Sequence, residues 1–171
     1  MMSRATTVLA RSLGVLIVTA ALAGCSPTPE PTPTPTGFAS EEEAFAAAEA
    51  TYRAYVAATN AQREDPAYSP APESFLRGEA LQDEIRASQY LADLGVSVVG
   101  DTTVVRVDQV TSADNDVTLD VCVDSSRTRI LNEEGTDVTP DRETPTLIRV
   151  QLVLAGDMFI TSSATAKTGS C

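Results

Sequence analysis

The chain has 171 residues, with 12 Lys+Arg against 24 Asp+Glu, a formal net charge of −12, and neither His nor Trp. That is length for one domain, and the charge argues against a nucleic-acid binder, whose phosphate contacts need a basic footprint. The apolar content of 43% excludes a chain disordered throughout, and the missing His removes the commonest general base and zinc ligand.

Arg4 and Arg11 are the only charged side chains before Glu30, and both are basic. An apolar run follows at residues 12–22, SLGVLIVTAAL. It falls short of the roughly 20 residues that a spanning helix needs and suits the apolar region of a secretory signal. It ends in Leu22-Ala23-Gly24-Cys25, where an A-x-A cleavage site would ordinarily stand. These four residues resemble the lipobox of bacterial lipoproteins. The resemblance implies cleavage between Gly24 and Cys25 and diacylation of the Cys25 sulfur. A thiol is the side chain nucleophilic enough for that thioether, and small residues before it admit the peptidase to the backbone. The competing readings are an ordinary signal peptide that happens to end in Cys and a buried apolar strand. Loss of residues 1–24 removes Arg4 and Arg11 and takes the net charge from −12 to −14. Anionic headgroups repel such a domain, so attachment falls to the lipid, and two acyl chains anchor stably where one is marginal.

Residues 26–36 read SPTPEPTPTPT, with Pro27, Pro29, Pro31, Pro33 and Pro35 alternating with Thr or Glu. Each proline fixes its own φ and drives the preceding residue out of the helical region, which predicts extended polyproline II. At ~3.1 Å per residue the segment reaches on the order of 30–35 Å. A stalk and a floppy tail without a role both fit these residues. The expected organisation is therefore a signal peptide at 1–24, a lipidated Cys and Pro/Thr stalk at 25–37, and an α+β domain at 38–171.

Within that domain Ser40 and Glu43 form a capping box before an acidic first turn. Phe45, Ala48, Tyr52, Tyr55, Val56 and Thr59 recur at helical spacing, predicting a helix to about Glu64 that Asp65-Pro66 stops. A loop to Pro72 follows, then a short helical piece at 73–77 with Gly78 as a break. Leu81, Ile85, Leu91 and Leu94 predict a further helix at 79–94, closed by Gly95. From Val96 the period becomes two. One β-rich run covers 98–110, with Val104, Val105, Val107 and Val110, and ends at a turn cluster, 112–116. Val117, Leu119, Val121 and Val123 then alternate with polar residues and with Cys122, as in a half-buried strand. Residues 127–131 continue or re-pair, and 132–135 form a turn. Ile148, Val150, Leu152 and Leu154 predict an inward face with Arg149 and Gln151 outward. Gly156-Asp157 fits a tight hairpin turn before a last strand at 158–166. Helices first and strands second predict an antiparallel sheet with helices on one face.

This pattern resembles the NTF2-like superfamily of cystatin-like α+β cones, and more closely small actinobacterial lipoproteins of that fold. The features that carry the resemblance are the tyrosine pair Tyr52 and Tyr55 on the first helix, the strand Val121-Cys122-Val123-Asp124-Ser125-Ser126, and a final hairpin with Gly169-Ser170-Cys171. The resemblance implies a curved sheet, and a pocket between it and the first helix with Phe45, Tyr52 and Tyr55 as candidate lining residues. Such sequences often carry a Trp where this chain has Met158-Phe159.

With Cys25 assigned to lipid, Cys122 and Cys171 are an even pair in an oxidising compartment, which predicts a disulfide. The rival is a pair of reactive thiols, but Asp120 and Asp124 beside Cys122 would raise its pKa rather than activate it. Isomerase chemistry of the ketosteroid type wants Tyr and neutral Asp donors plus an Asp base, and no carboxylate is expected close to the tyrosines, since alternation turns Asp120 and Asp124 outward. Asp114-Asn115-Asp116 begins like a calcium loop but has Leu119 where Gly is needed and Ser125 where Glu is needed. No metal or cofactor is expected. Two functions remain from different classes. One is a non-catalytic binding or protein-interaction module of the cell envelope, held to the extracytoplasmic face by the lipid on Cys25, with an envelope protein or small ligand as partner. The other is a small pocket enzyme of ketosteroid-isomerase or dehydratase type.

Overall fold

The structure, a computed structural model, describes residues 37–171. Gly24, Cys25 and the prolines of the stalk lie outside the described residues. From residue 37 onward the chain forms an α+β arrangement of two α-helices packed on an open antiparallel sheet.

Helix α1 spans Glu41–Glu64. Its capping box forms: the Glu43 N–H donates to Ser40 Oγ at 3.1 Å, and Glu43 Oε2 accepts from the Ala39 N–H at 2.8 Å. The helix stops where Pro66 forces Asp65 into an extended conformation. Residues Pro72–Phe75 make one 3₁₀ turn in place of the expected helical piece at 73–77. Gly78, rather than breaking a helix, begins one: α2 runs Gly78–Asp93. The Gly95 and Val96 N–H groups close α2 by donating to the Ala92 and Leu91 carbonyls, with Gly95 at φ +64, the conformation a Schellman cap assigns to glycine.

The run expected at 98–110 is two strands. β1, Ser97–Val99, turns at Gly100 and leaves the sheet to pair with β4, Arg129–Leu131, as a separate two-stranded ribbon. Gly100 has φ +80, and a Cβ there would collide with the Arg127 carbonyl, so this crossing requires glycine. β2, Thr103–Ala113, then joins β3, Asp116–Asp124, β5, Thr146–Ala155, and β6, Asp157–Thr165, in the order β2-β3-β5-β6. The register of β2 against β3 slips at Val105 and again at Val110, and these are the exposed valines of that strand. Bulges at both points twist an edge that would otherwise template pairing with another chain.

The core lies between α1 and the sheet. Phe45, Ala48, Tyr52 and Val56 meet Val117, Leu119, Val121 and Val123 of β3, Val150 and Leu152 of β5, and Ile160 of β6. Each fully buried aliphatic contributes roughly 1.5–3 kcal/mol. The alternation expected for β3 and β5 is present, and it places the other row on the outer face. There Arg149 Nε and Nη2 donate to Asp120 Oδ1 and Oδ2 at 2.8 and 2.7 Å across directly paired positions. That fork holds the Asp120 carboxyl below its ordinary range.

Candidate functional site

α2 covers the sheet less tightly than α1 does. Only Ala80 of α2 is buried, while Ile85 and Leu94 are 44% and 55% exposed. The stripe expected at Leu81, Ile85, Leu91 and Leu94 is therefore met in part: Leu81 packs against the core and Leu91 is half-buried, while Ile85 and Leu94 face outward. The inward face runs through Ala80, Leu81, Glu84 and Leu91, and beside it lies an open cleft of about 200 Å³ against α1 and β6, with exposed Ala87 at its rim. Leu76, Ala80 and Ile160 form the apolar part of its lining, and Tyr55, Asp83, Glu84 and Ser163 supply polar atoms. The segment Leu76-Arg77 fixes α2 over β6: the Arg77 N–H donates to the Ile160 carbonyl at 2.8 Å, and the Arg77 guanidinium stacks 3.5 Å from the centre of the Phe159 ring.

Tyr55 lines this cleft and Tyr52 the adjoining one along α1, at a ring separation of 6.0 Å. Tyr52 is buried in the core, and Tyr55 is half-buried at the cleft wall. The Tyr55 hydroxyl donates to Glu84 Oε2 at 3.2 Å. The expectation that no carboxylate would approach the tyrosines is thus corrected by Glu84, which α2 carries across from a position 29 residues away in sequence. Phe45, the third candidate, packs in the core and is absent from the linings of the clefts. A second cleft of about 190 Å³ continues along α1, sharing Tyr55 and Ser163 with the first, and is lined by Val56, Val123 and Ile148 with Arg63 and Thr102.

Burial pushes the Tyr52 phenol up to about 12, and burial followed by the Glu84 charge pushes Tyr55 higher still. Both native-state values are raised above the ordinary 10.0. The native state therefore holds these protons where the unfolded chain has released them. The stabilisation this represents is complete below pH 10.0 and is lost as pH rises through the native values. From Tyr52 alone the loss is about 2–3 kcal/mol. An ultraviolet titration should show two of the four tyrosines ionising only as the circular dichroism signal collapses. Ionisation of all four below pH 11 with native dichroism retained would refute this placement of the pair.

The remaining candidates lie elsewhere. Cys122 and Cys171 are disulfide-bonded, with Cα atoms 5.5 Å apart, on the outer face of the sheet. Asp120 pairs with Arg149, and Asp124 accepts from the Ser126 N–H and the Thr144 hydroxyl, so both point away from the cleft. Asp114 and Asn115 make the two-residue turn between β2 and β3, with Asp114 at φ +53. Among the described residues no cluster of His, Cys, Asp or Glu has the arrangement of a metal site, and no helix is long and apolar enough to cross a membrane. Comparison of the chain with protein-family models, with curated proteins and with solved structures finds no match.

Proposed function

We propose that this chain is a lipid-anchored protein of the extracytoplasmic face, whose α+β domain, of NTF2-like type, acts as a non-catalytic binding module of the cell envelope. The observation that supports it is the open tyrosine cleft under a loosely held α2. The cleft pairs apolar walls with few polar groups, the composition of a binding pocket, and the polar pair at its wall, Tyr55 and Glu84, is spent on one mutual hydrogen bond. Asp120 and Asp124 are turned outward and both described cysteines are joined. The lipobox at 22–25 and the Pro-rich segment at 26–36 supply the anchoring part of the reading.

The test is site-specific photocrosslinking in cells, because a single lysine, Lys167, makes amine chemistry uninformative. A photoreactive residue at Ala87, an exposed position on the rim of the cleft, should give a discrete adduct. The same residue at Gln151 on the outer face should give none. Equal labelling at both places would remove the cleft from the interaction. The Tyr55–Glu84 pair is the one observation favouring the isomerase or dehydratase alternative. Proton exchange on a cyclic ketone, abolished by Tyr55→Phe, would replace the module with that enzyme.

A further inference from the structure

We infer that the tyrosine cleft takes an organic anion, a small carboxylate with an apolar body, held through Arg63. The inference rests on the binding-module reading and adds the class of ligand.

Arg63 sits in the last turn of α1, half-buried, at the end of the cleft lined by Val56, Val123 and Ile148. Its Nη1 donates to Asn60 Oδ1 at 3.2 Å, to the Gly100 carbonyl at 3.0 Å and to Thr102 Oγ1 at 3.0 Å. All three acceptors are neutral. Six arginines, Arg53, Arg86, Arg106, Arg127, Arg129 and Arg149, have a carboxylate partner. Among the described residues Arg63, Arg77 and Arg142 have none, and of these three only Arg63 lines the tyrosine cleft. Its fork is therefore pinned by one nitrogen, while Nη2 and Nε make no hydrogen bond among the described residues. That leaves one planar edge for a bidentate carboxylate.

The turn at residues 100–102 does not depend on this guanidinium. Asn60 already clamps it, donating from Nδ2 to the Thr102 carbonyl at 2.8 Å and accepting from the Thr102 N–H at 2.9 Å. Burial lowers the Arg63 pKa, and the charges of Asp101 and Glu84, neither of them in salt-bridge contact with it, offset this only in part. The neighbouring cleft carries Asp83 and Glu84, and their charge directs an anionic head away from α2 and toward Arg63. The apolar body then lies against Val56, Val123 and Ile148, reaching the wall at Tyr55 and Ser163 that the two clefts share. Volumes of about 190 and 200 Å³ limit the ligand to a compact molecule.

The experiment titrates the full-length protein with hexanoate and with hexan-1-ol, following amide shifts by NMR. Hexanoate should bind at least about tenfold more tightly than the alcohol, the size expected of a charge-assisted hydrogen bond. Arg63→Gln should remove that preference while leaving alcohol binding unchanged, with native amide dispersion showing that the fold is kept. Ser163→Phe, which fills the shared wall and keeps the arginine, should abolish binding of both probes. Equal affinity for the two probes overturns the anion inference and leaves the cleft as a binding site. Hexanoate binding that survives Ser163→Phe overturns it too, since the anion then sits elsewhere. If neither probe binds, the inference falls, and crosslinking from Ala87 decides separately whether the binding-module reading falls with it.

Discussion

Reducing the Cys122–Cys171 disulfide should lower stability by about 4 kcal/mol, the chain-entropy value for the closed loop of this length; the two cysteines are 49 residues apart. For a domain of this size that corresponds to a fall in melting temperature on the order of 10–20 °C. Native contacts explain what the bond secures. Arg106, Cys122 and Leu147 occupy directly paired positions on β2, β3 and β5, so they form one row on the outer face. The segment at 166–171 folds back over that row. The Ala166 N–H donates to the Leu147 carbonyl at 2.9 Å, and the Arg106 guanidinium holds the Ser170 and Cys171 carbonyls at 3.1 and 3.3 Å. Cys122 is 1% exposed and Leu147 8% because this strap covers them. The Arg106 contacts do not involve the sulfurs, so part of the strap should stay docked on reduction, and the measured loss should not exceed the chain-entropy value. Calorimetry with and without reductant reads the shift, and intact mass should rise by about 2 Da on reduction. Two thiols freely alkylated without reductant, at an unchanged melting temperature, would rule the bond out.

Short-range signals in the sequence matched the structure where the determining contacts are local. The capping box at Ser40 and Glu43, the Schellman glycine Gly95 and the inward rows of β3 and β5 are each set within a few residues, and each has a strict period or fixed offset. The division of 98–110 into β1 and β2 is set by a partner, β4, that lies about 30 residues further on, and valines suit either arrangement. Gly100 inside a valine-rich run was the available sign, since a glycine within a strand pattern marks a bulge or a close backbone approach.

The cleft was legible only in its tyrosines. Its charged residues occupy positions where a buried helical stripe would continue with apolar ones. Glu84 lies between Ala80 and Leu91 on the inward face of α2, and Arg63 falls four residues beyond Thr59 on α1. Of the apolar residues on α2, Leu81 packs on the core and Leu91 is half-buried, while Ile85 and Leu94 are left in solvent. Helical spacing fixes which residues share a face but not which face meets the sheet. That choice is made by Leu76-Arg77 gripping β6 through Ile160 and Phe159, a contact without a local sequence period.

Replacing Cys25 by Ala or Ser should have the largest consequence of any single change, because it removes the one group proposed to hold the protein at the membrane. Either the variant is released from the membrane fraction or it persists as a precursor still carrying residues 1–24. The physical argument starts from charge: the processed chain carries −14, and an anionic bilayer surface repels it within a Debye length of about 8 Å. No described helix is long and apolar enough to substitute as an anchor. Two acyl chains contribute ~0.8 kcal/mol per buried methylene, far more than that repulsion costs, and a side chain without sulfur can carry neither of them by a thioether. Fractionation must therefore be read together with the intact mass, since an uncleaved precursor can stay with the membrane through the apolar run at 12–22. A variant that begins at residue 25 and still sediments quantitatively with membranes after a high-salt wash would refute lipid anchoring at Cys25. The same wash would exclude electrostatic adhesion, which salt screens, and attachment would then have to lie with an apolar contact elsewhere on the protein.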